Sequence, residues 1–85
     1  MKKIYIYTTK TCPFCHAAKD LLEKKNTAYE EIDVTGNTAL RNEMSNKAKG
    51  RTSVPQIFFD DQHIGGCDDL YALESNGQLE KLIAG

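Results

Sequence analysis

Hydrophobic and polar residues change period several times along the chain, and each change marks an element. Lys3-Ile4-Tyr5-Ile6-Tyr7 alternates, which predicts a strand over roughly Lys3 to Thr8. Phe14, Ala17, Ala18, Leu21 and Leu22 then recur at the i, i+3, i+4, i+7, i+8 spacing of an amphipathic helix. Lys24 and Lys25 suit the negative end of that helix. Ala28 to Val34 reads as a second strand, and strand–helix–strand implies a right-handed parallel unit. A weaker stripe, Leu40, Met44 and Ala48, predicts a helix from near Asn37 to before Gly50. Val54 to Phe59 forms a third strand with Pro55 at its start, because proline has no N–H to give a sheet ladder. Asp60-Asp61-Gln62 turns the chain into a short fourth strand, His63-Ile64-Gly65. Asp68 and Asp69 open a last helical region that carries Leu70, Tyr71, Leu73, Leu79, Leu82 and Ile83 and is interrupted at Asn76-Gly77. The order is βαβαββα.

This is an α/β chain with a thioredoxin-like layout, a four-stranded mixed sheet flanked by helices. Its 85 residues suffice for a single domain, 1–85, with one core. A net charge of -1 excludes the basic surface that nucleic acid or an acidic membrane would need. The apolar stretch after Met1-Lys2-Lys3 ends at Thr8-Thr9-Lys10, too short for the apolar region of a signal peptide. Three cysteines, an odd number, do not make a secreted disulfide framework. The expectation is a monomer in a reducing cytoplasm, where a Cys-x-x-Cys pair is usually catalytic or metal-binding.

Cys12-Pro13-Phe14-Cys15 falls between the first strand and the first helix. The first sulfur then lies at a helix N-terminus, where unpaired N–H groups favour a thiolate. Pro13 takes the first helical position, where its fixed φ helps and its missing N–H costs nothing. The loop from Thr8 to Thr11 should leave Cys12 exposed. A stabilised thiolate is above all a good leaving group when a second thiol attacks its mixed disulfide. The rival is zinc, since Cys12, Cys15, His63 and Cys67 formally supply four ligands. Helical spacing across Pro13-Phe14 suits a zinc knuckle poorly, so no metal is expected.

Two further clusters bear on a ligand. Pro55 at the mouth of its strand is compatible with a cis or a trans peptide; if cis, the N–H and C=O of Val54 face outward, ready to pair with an extended ligand. Gly65-Gly66-Cys67-Asp68-Asp69 combines two permissive residues with a helix start, so the N–H groups of Cys67 and Asp68 form an anion site. Asp68 or Asp69 would serve as the N-cap, and Cys67 as a small buried residue. Lys10, two residues before Cys12, can favour a thiolate or hold a carboxylate, whereas Arg41, Lys47, Lys49 and Arg51 read as solvated surface.

With these clusters placed, the chain resembles the dithiol glutaredoxins, most closely the small bacterial ones. The resemblance runs from Lys3 to about Ile83 and is carried by Cys12-Pro13-Phe14-Cys15, Ser53-Val54-Pro55 and Gly65-Gly66-Cys67-Asp68-Asp69. It implies a glutathione-dependent oxidoreductase acting on glutathionylated and disulfide-containing proteins. Cys12 would attack and Cys15 or glutathione would resolve. Glutathione is implied as co-substrate, its cysteinyl unit paired with Val54 beside a cis Pro55 and its γ-glutamyl carboxylate at Cys67 and Asp68, with Gly66 also among the contacts. No tightly bound cofactor is implied. Phe14 stands where the family usually has tyrosine, keeping an aromatic wall, and Ser53 replaces a threonine. The family's carboxylate-binding lysine commonly stands three residues before the first cysteine, where this chain has Thr9; the glycyl carboxylate then falls to Lys10 or Arg41. Two alternatives remain open: recharging by thioredoxin reductase, and a glutathione-ligated iron–sulfur cluster between two chains, which Pro13 disfavours by stiffening the loop.

Overall fold

The computed structural model describes residues 2–84. Its elements follow the order β1 (Ile4–Thr8), α1 (Pro13–Lys24), β2 (Glu30–Asp33), α2 (Thr38–Lys47), β3 (Gln56–Phe59), β4 (Gln62–Gly65), α3 (Cys67–Ser75) and α4 (Leu79–Ala84). The four strands form one sheet in the order β2-β1-β3-β4. β1 runs parallel to β2 with Tyr7 opposite Ile32, and antiparallel to β3 with Ile6 opposite Ile57. β3 and β4 form the expected hairpin, irregular between Ile57 and Phe58. The last helical region is two helices rather than one. After α3 the backbone turns through Gly77, at a φ of 71° that glycine adopts without penalty.

Alternation along the central strands divides the interior. On one face Ile4, Ile6, Ile57 and Phe59 pack against Ala18, Leu21 and Leu22 of α1, Leu70 of α3, and Leu79 and Ile83 of α4. On the other, Tyr7 and Phe58 pack with Val34, with Met44 of α2 and with Ala48 at its C-cap. Phe14 departs from the expected stripe: it is 64% exposed, and the buried line of α1 begins instead at Cys15. α2 is capped by Asn37, whose side-chain oxygen accepts from the Leu40 N–H at 3.0 Å. These placements bring the N-termini of α1 and α3 to the region where the chain enters β3.

Candidate active site

Cys12 is the N-cap of α1, and its sulfur accepts the Cys15 N–H at 3.1 Å. A side chain that accepts from the third residue of a helix satisfies one of the donors left unpaired there. The position predicted for the sulfur is therefore the observed one. Its exposure is not: Cys12 is only 8% exposed, because capping turns the sulfur inward over the helix end. The Cys12 thiol also donates to the Val54 carbonyl at 3.7 Å, across to the segment that enters β3. The Val54–Pro55 peptide is cis.

Cys15 lies one helical turn deeper and is 1% exposed. Burial, followed by the hydrogen bond with Cys12, pushes its thiol up to about 12. The third cysteine, Cys67, is buried at the first position of α3; burial and the Asp68 carboxylate push its thiol up as well. All three cysteines are free. His63 does not join the sulfurs; its Nε2 meets Gln56 Oε1 at 2.7 Å, and the Gln56 amide in turn donates to the Ser53 carbonyl at 2.9 Å. Among the described residues, no group of three or more His, Cys, Asp or Glu gathers as a metal site.

A cleft of about 200 Å³ opens beside this pair. It is lined by Phe14 of α1, by Ser53, Val54 and Pro55 where the chain enters β3, and by Gly66, Cys67 and Asp68 at the start of α3. Neither Asp68 nor Asp69 is the N-cap of α3; Gly66 is, and Asp69 reaches back so that its carboxylate accepts the Gly66 N–H at 2.9 Å. The aspartate sits at N3, the position from which a carboxylate can return to the cap. That bond and Arg51, whose Nη1 lies 3.2 Å from the same oxygen, hold the Asp69 carboxyl below its usual range.

Two of the expected ligand residues lie outside the cleft. The Arg41 Nε and Nη2 donate to the Thr52 carbonyl at 3.1 and 2.9 Å, and Arg41 lines a separate depression with Asn37 and Thr38. Lys10 is exposed, its backbone N–H bonded to Thr35, and its side chain is not part of the cleft. The cation that does line the cleft is Arg51, which the sequence reading left on the surface. The signal available was its place two residues before Ser53-Val54-Pro55.

The glutaredoxin family model matches residues 4–64. Glutaredoxin 3 of Escherichia coli K12 is 55% identical over 83 residues, 98% of this chain and 99% of that protein. The solution structure of a glutaredoxin from Brucella melitensis superposes with a TM-score of 0.86 at 47% identity, covering 98% of this chain and 89% of that one. A buckwheat glutaredoxin crystallised with glutathione shares the fold at a TM-score of 0.88 and 22% identity, over 98% of this chain and 77% of that one. A cysteine pair at the start of α1 and relatives of this similarity lead to one conclusion. The chain belongs to the glutaredoxin family of thiol–disulfide oxidoreductases.

Proposed function

We propose that Cys12 is the nucleophile of this oxidoreductase, Cys15 its resolving thiol, and the cleft beside Pro55 the seat of glutathione. The observation that carries the reading is the double placement of the Cys12 sulfur, which caps α1 and faces the Val54 carbonyl. A substrate sulfur brought to Cys12 arrives beside a backbone able to pair with an extended peptide. The Cys12 thiolate attacks the mixed disulfide, binds the glutathione sulfur and releases the protein thiolate. A second glutathione thiolate then attacks that sulfur, expels Cys12 and leaves as oxidised glutathione. With a protein disulfide, Cys15 can instead displace the substrate and form the Cys12–Cys15 disulfide.

The cleft supports glutathione as the co-substrate. The first turn of α3 offers the N–H groups of Cys67 and Asp68 to a carboxylate, and Gly66 keeps that wall low. Arg51 is placed to meet a second carboxylate, a role that the positions of Arg41 and Lys10 do not support. An odd number of cysteines, two of them a reactive pair, fits a reducing cytoplasm, and one continuous sheet fits a single domain.

Turnover of a glutathionylated substrate and of a protein disulfide by three forms tests the roles. Cys12→Ser should abolish both activities. Cys15→Ser should retain removal of glutathione and lose glutathione-free reduction of the protein disulfide. A Cys15→Ser protein inactive on both substrates would point to thioredoxin reductase as the source of electrons.

A further inference from the structure

Lys19 lies four residues after Cys15 on α1, so the two side chains are neighbours on one helix face, with Cβ atoms about 5–6 Å apart. It is not a free surface lysine. Only 19% of its side chain is exposed, and its Nζ donates to Glu31 Oε2 at 3.0 Å. The same carboxylate oxygen accepts the Thr8 hydroxyl at 2.7 Å. Thr8 is 1% exposed and ends β1, and the backbone of Thr9 that follows it draws the Cys15 thiol down. A cation from α1, an anion from β2 and a hydroxyl from β1 thus meet on the face of α1 that carries Cys15, and none of the three lines the cleft.

We infer that Lys19 is a positioning residue for the second half-reaction, its ammonium fixed by Glu31 and Thr8 so that it stabilises the Cys15 thiolate. The inference rests on Cys15 being the resolving thiol. In that step Cys15 gives its proton to solvent, and its thiolate attacks the Cys12 sulfur of the Cys12–substrate disulfide. The Cys12–Cys15 bond forms, the Cys12–substrate bond breaks, and the substrate sulfur leaves as a thiolate that takes up a proton. Two electrons pass from the dithiol to the substrate. Burial opposes the first event by raising the Cys15 thiol, and Lys19 acts in the opposite direction. An untethered lysine would extend its amine into water; the carboxylate of Glu31 holds it where the charge develops.

Removal of glutathione by the two-glutathione route needs no Cys15 thiolate, so the two activities separate the contributions. The test compares single-turnover reduction of a protein disulfide by the prereduced enzyme, without glutathione, with glutathione-driven turnover of a glutathionylated substrate. In Lys19→Met the ratio of the first to the second should fall roughly three- to tenfold, the size of one nearby charge in a partly screened site. Lys19→Arg, which keeps the cation, should restore the ratio. In a Cys12→Ser background, the rate at which iodoacetamide labels Cys15 at pH 9 should fall similarly on Lys19→Met. Equal loss of both activities, or an unchanged ratio with unchanged labelling, would overturn the role of Lys19. Persistent glutathione-free reduction by Cys15→Ser would instead overturn the assignment of the resolving thiol.

Discussion

Cys12 and Cys15 are the same residue in two environments, one turn of helix apart. Cys15 is a thiol pushed up to about 12 and Cys67 is raised too, both chiefly by burial. Near neutral pH both remain protonated, and iodoacetamide at pH 7.5 should label Cys12 alone; mass-spectrometric site assignment checks this, and comparable labelling of Cys15 would contradict it. Spacing was enough to find both thiols, because a helix N-terminus is a local feature. The inward turn of Cys12 was not legible, since it depends on the sulfur acting as the cap and on Val54, 42 residues away. The same distance in sequence concealed Arg51. Arg41 and Arg51 look alike in the chain, but the Thr52 carbonyl claims one and Asp69 shares the other with the cleft. Arg51→Gln should raise KM for a glutathionylated substrate roughly three- to tenfold with little change in kcat, as expected for one exposed charge-assisted contact. Arg41→Gln should have a smaller effect on KM. Steady-state kinetics on the two variants distinguishes the residues.

At the scale of elements, α3 depends on a glycine just outside it. Gly65 has a φ of 123°, and a Cβ built there would run into the Asp69 carboxylate that holds the Gly66 N–H. Gly65→Ala therefore combines backbone strain with loss of the helix-start hydrogen bond, and should destabilise the fold by about 2–3 kcal/mol. Urea unfolding with an unchanged slope measures it, and a shift below about 0.5 kcal/mol would show that the carboxylate can move aside at little cost. Asp69→Asn keeps the shape and removes the charge, so it should cost less. The sequence made most elements visible because their stripes are local: Leu21 and Leu22 on α1, Met44 and Ala48 on α2. It placed the cap of α3 two or three residues late, since Asp68 and Asp69 both look like caps until the backbone shows which one folds back. Spacing alone puts Phe14 in the stripe, but at the second position of α1 it is exposed and lines the cleft.

Across the whole molecule, several carboxylates are tied to neighbours and so link folding to acid. Hydrogen bonding from Thr8 holds the Glu31 carboxyl below its ordinary range, and the Gly66 N–H does the same for Asp69. Their folded values lie under their unfolded ones, so the stability they add is full above the unfolded values and is lost as pH falls through the folded ones. Burial also holds the His63 imidazole below its usual value, so thermal midpoints should ease down below about pH 6.5, where that ring charges only on unfolding, and drop more steeply below about pH 4.5. Glu31→Gln should flatten part of that drop, and a variant with the wild-type acid profile would remove Glu31 from the account. The sheet order has a separate consequence for how copies of the molecule treat one another. β2 is an edge, and its four residues are Glu30, Glu31, Ile32 and Asp33. A second copy adding its own β2 antiparallel in register would set Glu30 against Asp33 twice, like charges directly opposite on neighbouring strands. The open backbone donors and acceptors of that edge are thus guarded against pairing with the same edge of another copy, one of the routes by which small domains grow sheet upon sheet in concentrated solution.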